Sequence, residues 1–110
     1  MSPLALALAS PIAPTPTVAR IIAQRFGITW PELLEPGRDR QRLVLARHTA
    51  AWLLRSTGLS YPEVGKLMQR HHTTAMESCR AVERMRADKA TRALTDAMRA
   101  DMVKPHEVSE

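Results

Sequence analysis

The tightest constraint on this chain is a polar corner, Gln69-Arg70-His71-His72, which holds no apolar residue and separates two helical patterns of unequal length between Leu59 and Arg86. Upstream of it, Ser60 and Glu63 make a capping-box signature, with Pro62 at a position where its missing N–H costs nothing. Downstream, a second helix is expected to open at Thr73-Thr74. Ala75, Cys79, Val82 and Met85 or Arg86 follow there at three- and four-residue spacing. Two helices joined by a tight polar turn form a helix-turn-helix. At the opening of the second helix stand Arg70, His71, His72, Thr73 and Thr74, all with hydrogen-bonding side chains, where the helix dipole and unpaired N–H groups favour phosphate. A helix that reads DNA presents its first residues in this way.

The rest of the chain supplies a body for that pair. At 110 residues there is material for one small domain and no second core. Aromatic residues are few (Phe26, Trp30, Trp52 and Tyr61) and β-branched runs are missing. The expected fold is therefore all-α, a small bundle of five to six helices. Residues 1–16 carry Pro3, Pro11, Pro14 and Pro16 and are expected to form a flexible arm. The helical domain is expected over 17–104, followed by a frayed tail at 105–110.

Within the domain, Val18, Ile21, Ile22 and Phe26 recur at helical spacing, and Gly27 supplies a stop. Thr29 and Glu32 repeat the capping-box signature for a short helix holding Leu33 and Leu34, with Trp30 as a core plug and Pro36-Gly37 as terminator. The segment Arg38-Asp39-Arg40-Gln41-Arg42 has nothing apolar to bury. Beside a duplex its arginines can meet phosphates or enter the minor groove. A long helix follows with Leu43, Ala46, Ala50, Leu53 and Leu54 on one face, ended by Gly58. Arg40, Arg47 and Arg55 are expected to be more exposed, and an ion pair with Glu63 or a solvated charge suits Arg55 as well as a contact to DNA does. A last helix is expected to pack through Ala87, Ala90, Leu94, Ala97, Met98 and Met102, with its methionine-bearing face an alternative partner surface.

Charge narrows the function. The net charge is +5, and Arg20 to Arg92 holds fourteen Lys and Arg against seven Asp and Glu. A basic body of this size attracts polyanions, nucleic acid first and anionic membrane second. Cys79 is the single cysteine, so no internal disulfide forms and a reducing compartment is the default. The apolar start is barely seven residues long and no Lys or Arg precedes Arg20, which argues against export; no span is long enough for a membrane. The expected location is the cytoplasm, in association with the nucleoid.

Several strings together resemble the C-terminal DNA-binding domain of the DnaA replication-initiator family. G-K-L-M-Q-R-H-H-T-T-A is similar to that family's G-R-D-H-T-T-V type string. T-G-L-S-Y-P-E-V-G from Thr57 resembles T-G-L-S-L-P-E-I-G, and Ala46-Arg47, Ala50 and Leu53 resemble A-R-x-x-A-x-x-L. V-A-R-I-I-A-Q-R-F-G-I-T-W-P-E-L-L resembles the opening helices, so the likeness runs from about Val18 to Arg86.

The resemblance implies DNA contacts by His72, Thr73 and Thr74, and a backbone contact by Arg47. Threonine offers a methyl and a hydroxyl to base edges and histidine a ring nitrogen, although Thr73 could serve only as a helix N-cap. Phosphates are expected at Arg47, Lys66, Arg70, Arg80 and the backbone turn from Ser60 to Pro62. The choice between Arg38 and Arg40 as the groove-entering arginine stays open. Two departures bear on sequence preference: His71 stands where the family has Asp, and Ala81 or Glu77 stands near a family Lys.

No G-x-x-x-x-G-K-S/T loop is present, so no nucleotide, cofactor or metal is expected. His72 and Cys79 lack metal-site spacing and no carboxylate pair suggests catalysis, so no enzyme is expected. The expected function is sequence-specific binding of duplex DNA by a standalone regulator of transcription or replication. A second regulatory protein is a further conceivable partner. The competing function is a protein-interaction adaptor that uses the last helix and the N-terminal arm.

Overall fold

A computed structural model describes residues 15–36 and 40–103. The N-terminal arm up to residue 14, Arg38 and the tail at 105–110 lie outside the described residues. Among those described there are six helices and no strands: α1 Thr15–Phe26, α2 Trp30–Leu34, α3 Gln41–Ser56, α4 Tyr61–Met68, α5 His72–Met85 and α6 Lys89–Val103. Helix α1 starts two residues before the expected boundary. Pro16 fits there because a first-turn N–H has no partner inside a helix.

Local chemistry sets most of the ends. Gly27 (φ 69°) stops α1, its N–H bonding Ala23 O at 2.9 Å. Thr29 and Glu32 form a complete capping box for α2: Thr29 N–H reaches Glu32 Oε1 at 2.8 Å, and Glu32 N–H reaches Thr29 Oγ1 at 3.3 Å. Ser60 and Glu63 repeat the arrangement for α4, at 2.8 and 3.2 Å. Gly58, at φ 100°, carries the chain out of α3.

Helix α3 is the spine, in contact with each of the other five. It buries Leu43, Ala46, Ala50, Leu53 and Leu54 as expected, and also Thr49, Ala51 and Trp52, because partners surround more than one of its faces. Val18, Ile21 and Ile22 of α1, Leu33 of α2, Val64 and Met68 of α4, and Ala75, Cys79 and Val82 of α5 complete the core. Trp30 is half-buried at the edge of that core rather than a plug within it. Arg55 does not pair with Glu63. Its guanidinium lies 4.7 Å from the centre of the Tyr61 ring and donates to Leu59 O at 2.8 Å, while the Glu63 carboxylate is held in the α4 cap.

The docking of α6 differs from the expected apolar face. Ala87, Ala90, Leu94 and Ala97 are exposed, Leu94 at 47%, whereas Thr95 and Met98 are buried and Met102 half-buried. A polar clamp decides this. Trp52 gives its indole N–H to Glu83 Oε2 at 2.7 Å, and its ring lies within cation–π reach of both Arg86 (5.0 Å) and Arg99 (4.9 Å). Arg86 in turn donates to Thr95 Oγ1 at 2.8 Å and Asp96 Oδ1 at 2.7 Å, so α6 is held through Thr95 and the methionines beside it. The methionine-bearing face is thus turned largely into the protein.

Replacing Trp52 by Phe keeps an aromatic ring, though a smaller one, and removes the indole N–H that the Glu83 carboxylate accepts. A loss of about 1–2 kcal/mol is expected. Urea unfolding checks this, and wild-type stability in the variant would contradict the clamp.

Candidate nucleic-acid interface

The corner between α4 and α5 is built by backbone geometry. Gln69 ends α4 in the left-handed region (φ 56°, ψ 43°), and Arg70 N–H returns to Gly65 O at 2.8 Å. Gly65 is required by close approach, since a Cβ there would lie 2.7 Å from Arg70 O and 3.2 Å from His72 Cα. No ordinary side chain fits so near a backbone oxygen, so the chain reverses tightly and aims α5 outward.

Helix α5 opens one residue earlier than expected, at His72, and its N-cap is His71 rather than Thr73. The reason is the imidazole acceptor. His71 Nδ1 takes Thr73 N–H at 3.2 Å and stands 2.8 Å from Thr73 Oγ1. With Nδ1 accepting that N–H, the other ring nitrogen, Nε2, is the one that faces outward as a donor. The His71 and His72 ring centres are 4.3 Å apart. His71, His72, Thr73 and Thr74 are all exposed, as a surface that touches a ligand must be.

The other expected residues divide into two groups. Lys66, Arg80 and Arg40 are exposed, and Arg40 is the N-cap residue of α3 with no side-chain capping bond. Arg47 and Arg70 are half-buried and turned to the carbonyl end of α2. Arg47 donates from Nε to Leu33 O at 2.8 Å and from Nη2 to Glu35 O at 2.6 Å, and Arg70 Nη1 lies 3.3 Å from Leu34 O. Ser60 and Pro62 are exposed at the start of α4, but the Ser60 N–H is already bonded to Glu63 and Pro62 has none. That turn offers a phosphate fewer donors than expected.

Sequence reasoning missed His48. Its Nδ1 lies 2.9 Å from Ser78 Oγ, joining α3 to α5, and both residues line a cavity of about 220 Å³ together with Arg47, Arg70, Met68 and Thr74. Helical spacing from Val44 and Ala51, which line the same cavity, is the signal that could have found it. Burial, and secondarily the charge of Arg84, holds the His48 ring below the usual histidine pKa. Cys79 is buried and its thiol is pushed up to about 11, chiefly by burial, so it carries no nucleophilic thiolate at neutral pH.

Residues 16–82, which span α1 to most of α5, match the family model described as the bacterial dnaA protein helix-turn-helix. The chain belongs to that family. The chromosomal replication initiator protein DnaA of Thermomicrobium roseum is 41% identical over 86 residues, which cover 76% of this chain and 18% of that protein. The corner and the two helices it joins therefore lie within a DnaA-type DNA-binding helix-turn-helix. Helix α6 begins beyond the residues matched by the family model. No helix of the described residues is long and apolar enough to cross a membrane.

His48 gives this domain a pH-dependent stability. Its pKa is lower folded than unfolded, so the unfolded chain binds the proton more readily, and stability falls as pH drops below about 6.5 toward the folded value. His48→Gln, which cannot titrate, is expected to lose less stability than wild type between about pH 7.5 and pH 5.5. Parallel unfolding curves for the two proteins across that range would contradict this.

Proposed function

We propose that this domain binds duplex DNA sequence-specifically, with the first turn of α5 in the major groove, and that it regulates transcription or replication. The observation that carries the proposal is the exposed His71-His72-Thr73-Thr74 tip at the start of a helix whose direction is set by a rigid corner. His72 and Thr74 read base edges. Thr73 adds its methyl group while its hydroxyl stays close to His71. Arg40, Lys66 and Arg80 meet phosphates, and the Ser60–Pro62 turn lies against the backbone, while Arg47, bonded to Leu33 O and Glu35 O, holds α2 beside them. Arg38 belongs to the same basic run as Arg40, and one of the two enters the minor groove.

His71 alters what is read. The family string has an aspartate at this position, which accepts hydrogen bonds permanently; an imidazole capping through Nδ1 offers a donor at Nε2 instead. A different preferred sequence from the initiator's follows. The matched stretch covers 18% of that initiator, and the activity proposed for it is DNA binding and regulation at the nucleoid.

Selection of bound duplexes from a random pool tests this directly. A defined motif is expected, and His72→Ala or Thr74→Ala should each weaken binding to it by about 1–3 kcal/mol without unfolding the domain. With roughly four phosphate contacts, affinity should fall about a hundredfold between about 50 and 200 mM salt. A pool that stays random, or affinity indifferent to salt, would sink the proposal.

A further inference from the structure

The last carbonyls of a helix have no partner within it and must find donors elsewhere. In α2 they can be followed one by one. Pro31 O and Glu32 O take the N–H of Glu35, at 3.2 and 3.3 Å. Leu33 O and Glu35 O take Arg47. Leu34 O takes Arg70 Nη1, which also lies 3.1 Å from Gln69 O and 3.4 Å from Met68 O at the end of α4. One guanidinium thus sits between the negative dipole ends of two helices, 36 residues apart in sequence at Leu34 and Arg70. Two residues later α5 begins.

We propose that Arg70 is a positioning residue for DNA reading and not a phosphate contact; this rests on the DNA-binding function proposed above. Its guanidinium ties the corner to α2 and thereby sets how His72 and Thr74 meet the base edges. To reach a phosphate it would have to leave the carbonyl ends it joins, whereas Lys66 and Arg80 are already exposed. Charge alone does not perform this role. All three carbonyls meet the same nitrogen, Nη1, and a lysine side chain is one bond too short to bring its ammonium to that point.

The test uses the intact chain, the duplex selected from the random pool and an unrelated duplex. Arg70→Gln and Arg70→Lys are both expected to bind the selected duplex about 10- to 100-fold more weakly, with binding to the unrelated duplex and the salt slope both unchanged. Arg86→Gln, which weakens the remote Trp52 clamp, serves as a control for general loosening and should retain discrimination. Rescue by Arg70→Lys would overturn the proposal. So would a salt slope about one unit smaller in Arg70→Gln with equal loss on all duplexes, the mark of a phosphate contact. Equal loss of discrimination in Arg86→Gln would overturn it as well. Amide hydrogen exchange of the free proteins separates this from failure of the DNA-binding function itself. Exchange at Glu35 and at His72 to Thr74 should quicken in Arg70→Gln, and unchanged exchange there overturns the positioning role whatever the DNA results.

Discussion

Everything this domain presents to solvent at the start of α5 depends on the chain reversing within one residue of Gln69. The reversal places a backbone oxygen where a side chain on Gly65 would have to be, and it holds Gln69 in a left-handed conformation that costs an ordinary residue about 1 kcal/mol. These costs are offset by the Arg70 N–H bond to Gly65 O and by the Arg70 guanidinium lying among three carbonyls. A tip of short polar side chains can discriminate between base edges only if its angle of approach is fixed. Rigidity of the corner is therefore the link between packing and function.

The two ends of α5 are treated oppositely. Its first turn is exposed and offers imidazoles and hydroxyls. Its last turn leads to Arg86, whose side chain is only 16% exposed and is held among Trp52, Thr95 and Asp96. Helix α6, which lies beyond the family match, thereby fixes the far end of α5 against the spine.

Features governed by neighbours along the chain were legible from the sequence. Both capping boxes need only Ser or Thr and a Glu three residues on, and the stops at Gly27 and Gly58 need only a residue that tolerates positive φ. The polar tip was legible because nothing in it could be buried. What escaped depends on contacts distant in sequence. Arg47 and Arg70 read as cations for phosphate, yet orphan carbonyls at the end of α2 engage them first. Arg55 found Tyr61 once Glu63 was held in its own cap. The face of α6 was misjudged because apolar spacing favoured Leu94, while the Arg86–Thr95 bond selected the neighbouring stripe. His71 was recognised as a departure, but its capping role requires the imidazole geometry and not merely the residue type.

The central claim is that the first turn of α5, steered by the corner beneath it, is the surface that meets DNA. Nuclear magnetic resonance titration of the labelled chain with its selected duplex measures this most directly. The account predicts that the largest amide shifts fall on His71 to Ala75, with smaller ones at Lys66 and at the start of α3. Shifts concentrated on the exposed stripe of α6 around Leu94, with the α5 tip undisturbed, would contradict it.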